Sequence, residues 1–164
     1  MKRHLCLILS LCLLLGGCGY SDTRFTETVT FYYLRNTYQS GASDGVIAGE
    51  DRQVPADRDS LSYLLSLYLM GPAEDDLRLP LPQGTRILAI EQNEQSVHLT
   101  LSEDAGSLTD VEFSLAAACL TMTCIGLTGV QTVTVACGEH SVTMGADSLT
   151  LFDTITEETT EETQ

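Results

Sequence analysis

Residues 108–127 read LTDVEFSLAAACLTMTCIGL, and the chain carries no charged side chain between Glu112 and Glu139. Apolar residues recur here at the three- and four-residue spacing of a helix, which predicts one long helix. The apolar part is short and interrupted by threonine and glycine, so we do not expect it to cross a membrane. The apolar side chains fall in two stripes, the first with Val111, Leu115, Ala118, Cys119, Met122 and Ile125 and the second with Phe113, Ala117, Leu120 and Cys124.

The second stripe is open to two interpretations. In the first, the helix is buried against a sheet of its own chain, as a helix that is apolar on most sides usually is. In the second, Phe113, Ala117, Leu120 and Cys124 form an interaction surface for another protein or a second copy. Substituting Leu120 and Cys124 with charged residues distinguishes the two interpretations. If these residues belong to the core, the variant should unfold; if they form an interaction surface, the variant should stay folded and lose the association.

On both sides of this helix the apolar residues alternate with a period of two, which is typical of half-buried strands. Asn93-Glu94 and Gly138-Glu139 supply turns between such strands. The sequence therefore predicts two hairpins, Arg86–Gln92 with Ser96–Leu101 and Val130–Cys137 with Ser141–Met144.

A second helix is predicted over residues 58–70. Asp57 can cap its start, and apolar residues from Leu61 onward recur at i, i+3, i+4 and i+7. Gly71 and Pro72 end it, because glycine adopts the left-handed conformation and proline cannot continue a helix. A strand over 28–35 precedes this helix, with a weaker strand candidate at Arg52-Gln53-Val54.

The predicted order of elements is β-(β)-α-β-β-α-β-β. This order favours an α+β fold with a mixed or antiparallel sheet and two helices on one face. We expect the domain to cover residues 28–152. The segment 153–164, DTITEETTEETQ, is acidic and has no core residues, which predicts a disordered tail.

The first 17 residues have the pattern of an export signal. Lys2 and Arg3 precede an apolar run, Leu5–Leu15, that is too short for a spanning helix. The following residues complete LGGC, which resembles the lipobox of bacterial lipoproteins and implies that Cys18 is acylated and begins the mature chain. Residues 18–27 are then a tether, and several acyl chains hold the membrane firmly at roughly 0.8 kcal/mol per buried CH2. A plain secretory signal with a chance cysteine is the alternative.

The charge of the chain excludes one class of partner. The sequence has 8 basic and 23 acidic residues, for a formal net charge of −15. Loss of Lys2 and Arg3 with the signal leaves 6 basic residues against 23 acidic ones, so the mature chain carries −17. Such a surface repels phosphate backbones, and we expect no nucleic-acid binding.

Three cysteines remain in the mature chain besides Cys18, namely Cys119, Cys124 and Cys137. We interpret them as small buried side chains, with a disulfide from Cys137 to one of the other two, or metal binding, as alternatives. His98 and His140 have no neighbouring ligand at metal-binding spacing, and the acidic loop Glu74-Asp75-Asp76 lacks the spaced oxygens of a calcium loop. We therefore predict no metal site and no cofactor.

One motif suggests catalysis. Gly41-Ala42-Ser43-Asp44-Gly45 matches G-x-S-x-G, in which a serine nucleophile stands between a strand and a helix. The residues after Gly45 do not make the required helix, since Pro55 follows within ten residues. We interpret the motif as a Gly/Ser loop and predict no catalytic residue in this chain.

Five segments of the sequence, taken in chain order, resemble the motifs of one family. Leu67–Pro72 looks like a helix end with the pattern "LL.GP", and Leu81–Thr85 looks like the pattern "LP.GT". Val97–Ser102 resembles a strand with the pattern "v.vdLS". Leu127–Val130, the strand after it and Gly138-Glu139 look like the closing pattern "PGV..v.i.vdG", with Thr128 where the family often has proline. These motifs are those of the GerMN domain of sporulation and germination proteins, which the chain resembles over about residues 28–144.

The resemblance implies a non-enzymatic, lipid-anchored domain on the extracytoplasmic face of the membrane of a Gram-positive, often spore-forming bacterium. It also implies self-association or docking with other envelope proteins, since such domains are similar in fold to ring-building motifs of secretion assemblies. The alternative is a binding module for a small molecule or a cell-wall fragment, suggested by Tyr32, Tyr33 and Tyr38 near the loop 39–49.

Overall fold

The computed structural model describes residues 26–36 and 45–149. The export signal, Cys18, the Gly41–Gly45 motif and the acidic tail therefore lie wholly or mainly outside the described residues. Within these residues the chain forms two sheets and two complete α-helices, and residues 146–149 are also helical. In chain order the elements are β1 (Thr26–Arg35), β2 (Ile47–Pro55), α1 (Leu61–Tyr68), β3 (Leu77–Arg78), β4 (Ile87–Gln92), β5 (Ser96–Leu101), a 3-10 helix (Glu103–Ser107), α2 (Asp110–Thr128), β6 (Thr132–Cys137) and β7 (His140–Gly145).

The first sheet has the order β2-β1-β3 and is antiparallel. β1 and β2 pair over almost their whole length, from Thr26 opposite Pro55 to Leu34 opposite Ile47. The weak strand candidate at 52–54 is thus part of a nine-residue strand. This length was not predicted because β2 contains Gly49, Glu50, Asp51 and Arg52, residues that are uncommon in strands.

The second sheet has the order β4-β5-β6-β7 and is mixed. The two predicted hairpins are present as antiparallel pairs, and β5 and β6 join them in parallel. Parallel neighbours need a long crossover connection. Here α2 makes that crossover, so the long helix is required by the topology of the sheet it packs on.

Helix α2 contacts both sheets, β1 on one side and β6 and β7 on the other. Its start has a capping box between Thr109 and Glu112, and it ends at Gly129, whose φ of 72° is left-handed. By length and composition α2 could cross a membrane, but half of its apolar stretch is buried inside the fold. Its composition is therefore that of a core helix, apolar around its circumference because it has neighbours on both sides.

The predicted α+β fold class is confirmed, but two details of the predicted architecture differ from the structure. We expected one sheet with both helices on one face, whereas the strands divide into two sheets that share α2. The additional strand β3 has only two residues, too few to give a periodic pattern in the sequence. β1 begins at Thr26, two residues before the predicted strand.

The interaction surface predicted on α2 is wrong for the folded chain. Phe113, Ala117, Leu120 and Cys124 are all buried, with at most 4% of any side chain exposed. They belong to the main hydrophobic core together with the inward-facing valines of β6. The second apolar stripe therefore packs on a sheet of the same chain.

One hydrogen bond joins α2 to the first sheet. The backbone N–H of Tyr32 on β1 donates to Thr123 Oγ1 over 3.0 Å, and Thr123 is fully buried. Since β3 pairs with β1 only at Leu34 and Arg35, this N–H has no strand partner on that side. A buried backbone donor must find an acceptor, and a threonine supplies it without placing a charge in the core.

We expect Leu120→Ala to lower the free energy of unfolding by about 2–5 kcal/mol, because it leaves a cavity where α2 packs. Urea denaturation followed by circular dichroism measures this loss. Leu88→Ala is the matched control, since Leu88 is 60% exposed and its truncation should change stability by about 0.5 kcal/mol or less. Equal effects of the two substitutions would contradict the burial of α2.

Candidate functional site

The most polar part of the interior lies where β2 meets the connection after α1. Glu50 is 2% exposed and is the one charged side chain among the buried polar residues of the described part of the chain. Glu50 and Arg52 are two positions apart on β2, so their side chains project from the same face of the strand. Ala48 and Val54 have the same parity and pack on the core.

The Glu50 carboxylate is fully engaged. It accepts hydrogen bonds from the backbone N–H of Ala73 over 2.7 Å and of Glu74 over 3.0 Å, both at Oε2. Its other oxygen, Oε1, forms an ion pair with the Arg52 guanidinium. A buried carboxylate is stable only when paired and hydrogen-bonded in this way.

Arg52 extends the same contacts to the end of α1. Its guanidinium donates to the carbonyl oxygen of Gly71 over 3.1 Å and to that of Leu67 over 3.4 Å. These carbonyls lie at the negative end of the helix dipole, where a cation is stabilising. The guanidinium also lies 5.3 Å from the centre of the Phe31 ring, a cation–π distance.

Three aromatic rings pack beneath this cluster. Tyr33 and Tyr68 are stacked with their centres 4.8 Å apart, and the Tyr33 hydroxyl donates to the Tyr68 carbonyl oxygen over 3.1 Å. Phe31 meets both tyrosines edge-on. Burial raises the pKa of Tyr33 to about 12, with Arg52 opposing and the Glu50 carboxylate adding to the rise. Tyr33 is therefore a packing residue and is not available to stack on a ligand.

The pKa of Glu50 shows that its hydrogen bonds and its ion pair outweigh the effect of burial. Burial by itself would raise this pKa, but the backbone N–H of Glu74, the Arg52 guanidinium and the backbone N–H of Ala73 together lower it below its ordinary value. The carboxylate is thus charged in the folded chain. Its lone pairs and the guanidinium protons are directed at each other and at backbone groups of the same chain.

This cluster, which we call the Glu50–Arg52 clamp, binds the segment 71–74 to β2. The segment includes Gly71, whose φ of 89° requires glycine, and Pro72. The clamp thus explains the helix-end motif in physical terms. The sequence did not lead us to predict a site at Glu50 and Arg52. The one signal available was that these residues alternate along β2 in step with Ala48 and Val54 and so project from the same face of the strand.

A shallow cleft of about 390 Å³ lies at the N-terminal end of β1. Tyr32 contributes to its wall, and Tyr38, the third tyrosine of the predicted binding surface, lies outside the described residues. The acidic residues Glu27 and Asp59 are at its rim and both are exposed. The cleft is lined by Glu27, Thr28, Val29, Thr30, Tyr32, Val54, Asp59, Leu64, Gly126 and Leu127.

The three described cysteines are free and buried. Burial raises the pKa of Cys119 to about 12, and it has the same effect on Cys124. Cys137 Sγ donates to the Ser102 carbonyl oxygen over 3.3 Å. The thiols are therefore core groups, and the structure contains no disulfide between Cys137 and either of the other two.

The two histidines of the mature chain lie apart from each other, and His140 is the cross-strand partner of the buried Cys137. His98 is exposed on the outer face of β5, opposite Glu91 of β4. His140 begins β7, and its Nδ1 is 3.9 Å from Asp110 Oδ1, with both side chains exposed. Over residues 26–36 and 45–149, no three histidine, cysteine or acidic side chains converge on a point that could hold a metal.

Fold and interior together define a small α+β domain whose buried charges stabilise its own backbone. A family model described as Germane, sporulation and spore germination, matches residues 30–142. The match covers more than half of the chain, so the chain belongs to this family, and the resemblance to the GerMN domain is confirmed. A search of curated proteins found no match.

Two solved structures match this chain at low sequence identity. The tandem GerMN domains of the sporulation protein GerM from Bacillus subtilis are 15% identical with a TM-score of 0.55, covering 75% of this chain and 43% of that chain. A provisionally named lipoprotein from Clostridium perfringens is 14% identical with a TM-score of 0.47, covering 82% of this chain and 97% of that chain. At these identities the GerM structure supports the fold alone.

We expect Glu50→Gln to destabilise the domain, because it removes the charge that Arg52 and two backbone N–H groups need. The expected loss is about 3 kcal/mol, the lower end for one partner of a buried pair, since Arg52 is partly exposed. Urea denaturation at pH 7 measures it. Glu91→Gln, the same change at an exposed position of β4, is the control and should be nearly neutral.

The effect of Glu50→Gln should depend on pH in one direction. The pKa of Glu50 is lower in the folded than in the unfolded chain, so the carboxylate stabilises the fold above about pH 4.3, the ordinary glutamate pKa. This stabilisation is lost as the pH falls through the lowered pKa. The stability difference between wild type and variant should therefore be constant near neutral pH and shrink in acid. A difference that grows in acid would contradict the assignment.

Thiol reagents should not modify Cys119 or Cys124 in the folded chain. Both thiols are fully buried and protonated at neutral pH, and the thiolate is the reactive form. Mass spectrometry after iodoacetamide treatment should show both cysteines labelled only when guanidinium is present. Rapid labelling of both in the native chain would show that α2 is not packed as described.

Proposed function

We propose that this protein is a lipoprotein, anchored through Cys18 to the extracytoplasmic face of a bacterial membrane, that acts by protein–protein contacts in a sporulation or germination assembly. The membership of residues 30–142 in a sporulation and germination family supports a role in one of these two processes. The LGGC sequence after a short apolar run supports the anchor.

The Glu50–Arg52 clamp carries the non-catalytic part of the proposal. An enzyme exposes its charged or nucleophilic groups to a substrate, often with a pKa shifted toward neutrality. Here the Glu50 carboxylate is directed at backbone groups and Arg52, and burial keeps Cys119 and Cys124 protonated. The interior polar groups stabilise the fold, which leaves the surface as the part that can act.

The length of the segment between Cys18 and β1 limits how far the domain can lie from the membrane. Seven residues lie between Cys18 and Thr26, so the two residues are eight steps apart along the chain, which allows a reach of at most about 28 Å when fully extended. The formal charge of −17 on the mature chain opposes close approach to anionic lipids. We infer that the domain stands within this distance of the membrane but off its surface, accessible to other envelope proteins.

A second candidate function is the binding of a small molecule or cell-wall fragment in the cleft beside Tyr32. Its volume falls within the range of ligand sites, and exposed acids at its rim would favour a cationic group. Calorimetry with muropeptides and germinant amino acids tests it. Heat that is lost in Tyr32→Ala would support this second function, whereas no heat with any of these ligands would exclude them as ligands.

Cys18→Ser should remove the anchor. Wild-type protein should fractionate with membranes and incorporate labelled palmitate, while the variant should appear in the medium or keep its signal. Cys12→Ser is the matched control, because Cys12 lies in the apolar run and its loss should leave anchoring unchanged. Continued lipid labelling of Cys18→Ser would overturn the anchor.

A further inference from the structure

The strand β7 is an unusual sheet edge. It reads HSVTMG and contains no acidic residue, lysine, arginine or proline. Proteins usually protect an exposed edge with charges, proline, a bulge or a very short strand, because its unpaired N–H and C=O groups can pair with another chain. β7 has six residues and pairs with β6 without a bulge.

The other three edges of the two sheets carry such protection. β2 contains Glu50, Asp51 and Arg52 and ends at Pro55. β4 has a register irregularity between Ile87 and Ala89 and also carries Glu91. β3 has two residues. The unprotected edge is therefore specific to β7.

The two faces of β7 are unlike each other. Val142 and Met144 are partly buried and pack against the core, while Ser141 and Thr143 are exposed on the outer face. The Thr143 hydroxyl is hydrogen-bonded to that of Thr134 on β6 over 2.8 Å. Within the described ranges, β6 is the strand to which β7 is paired.

We propose that β7 pairs antiparallel with β7 of a second copy of this chain. The pairing would join two four-stranded sheets into one continuous sheet of eight strands around a twofold axis, a self-complementary interface. This inference rests on the proposed function as an assembly protein and names its partner. It specifies a second copy because β7 is complementary to itself in antiparallel pairing. The strand contains no acidic residue, lysine or arginine that would meet a like charge, and its alternating side chains match when the strand is reversed about Thr143.

The alternation of side chains restricts the register of this pair. Residues directly opposite in an antiparallel pair project from the same face, so a shift by one residue would turn Val142 and Met144 to solvent. Placing Thr143 opposite Thr143 of the second copy sets Val142 opposite Met144 and keeps both core faces continuous. The nearest acidic residues, Glu139 and Asp147, lie just outside the strand at its two ends, and in this register Glu139 of one copy is level with Asp147 of the other.

Thr143→Cys tests the pairing in the full-length chain in membranes. The two Cα atoms would be about 4.5–5.5 Å apart, within the range of a disulfide. Mild oxidation should give a band of twice the chain mass on a non-reducing gel, and reduction should remove it. The wild-type chain controls for the buried cysteines.

Thr132→Cys is the matched control for position. Thr132 is exposed on the same face but on β6, so at least three strand spacings, about 14 Å, would separate it from its own copy and it could not be bridged. Equal cross-linking at positions 132 and 143 would mean a face-to-face contact and would overturn edge pairing.

Thr143→Lys supplies an independent test, because a lysine opposite its own copy is the protection that β7 lacks. In detergent, sedimentation should show dimers for wild type and Thr132→Lys and monomers for Thr143→Lys, with unchanged circular dichroism for all three. Wild-type chain that stays monomeric and Thr143→Cys that does not cross-link would overturn the proposal. If the monomeric wild-type chain co-purifies with other envelope proteins, the proposed function stands without the edge pairing. If it has no partners at all, both the edge pairing and the proposed function are overturned.

Discussion

Helix α2 is apolar over most of its circumference between Phe113 and Ile125, and this constraint organises the domain. Buried residues occur around its circumference, from Ala116 and Ala117 to Cys124. A helix that is apolar on all sides needs cover on more than one side, and the two sheets supply it. The crossover from β5 to β6 places α2 on one sheet, and the bond from the Tyr32 N–H to Thr123 connects it to the other. Loss of packing at α2 would therefore separate the layers.

The Glu50–Arg52 clamp depends on the same arrangement. The rings of Phe31, Tyr33 and Tyr68 fill the space between β1 and α1, and burial there gives the ion pair a low-dielectric surrounding. Since each charge would be costly there without its partner, the clamp allows one position of the segment 71–74 relative to β2. A family motif that looks like a simple helix stop is thus held by groups more than fifteen residues away.

In the proposed function, the contacts with other proteins are made by the outside of the domain. The buried polar groups stabilise the backbone, and the acidic surface opposes contact with lipids and nucleic acids. Against that background the uncharged edge β7 is distinctive, because strand pairing uses backbone groups and needs no charged contact. The proposed anchor would also confine copies of the chain to two dimensions at raised effective concentration, which would favour the proposed edge pairing.

The amino-acid sequence by itself determined the two helices, the two hairpins, the α+β class and the family, because each depends on local periodicity, turn residues or ordered motifs. Tertiary structure decided the rest. Phe113 and Leu120 look the same in sequence whether they face a partner or a sheet, since periodicity defines a face but not its neighbour. The Glu50–Arg52 clamp required β2 and the α1 end to meet, a long-range contact without a local signal. The exposure of β7 as an edge depended on strand order, which no single strand encodes.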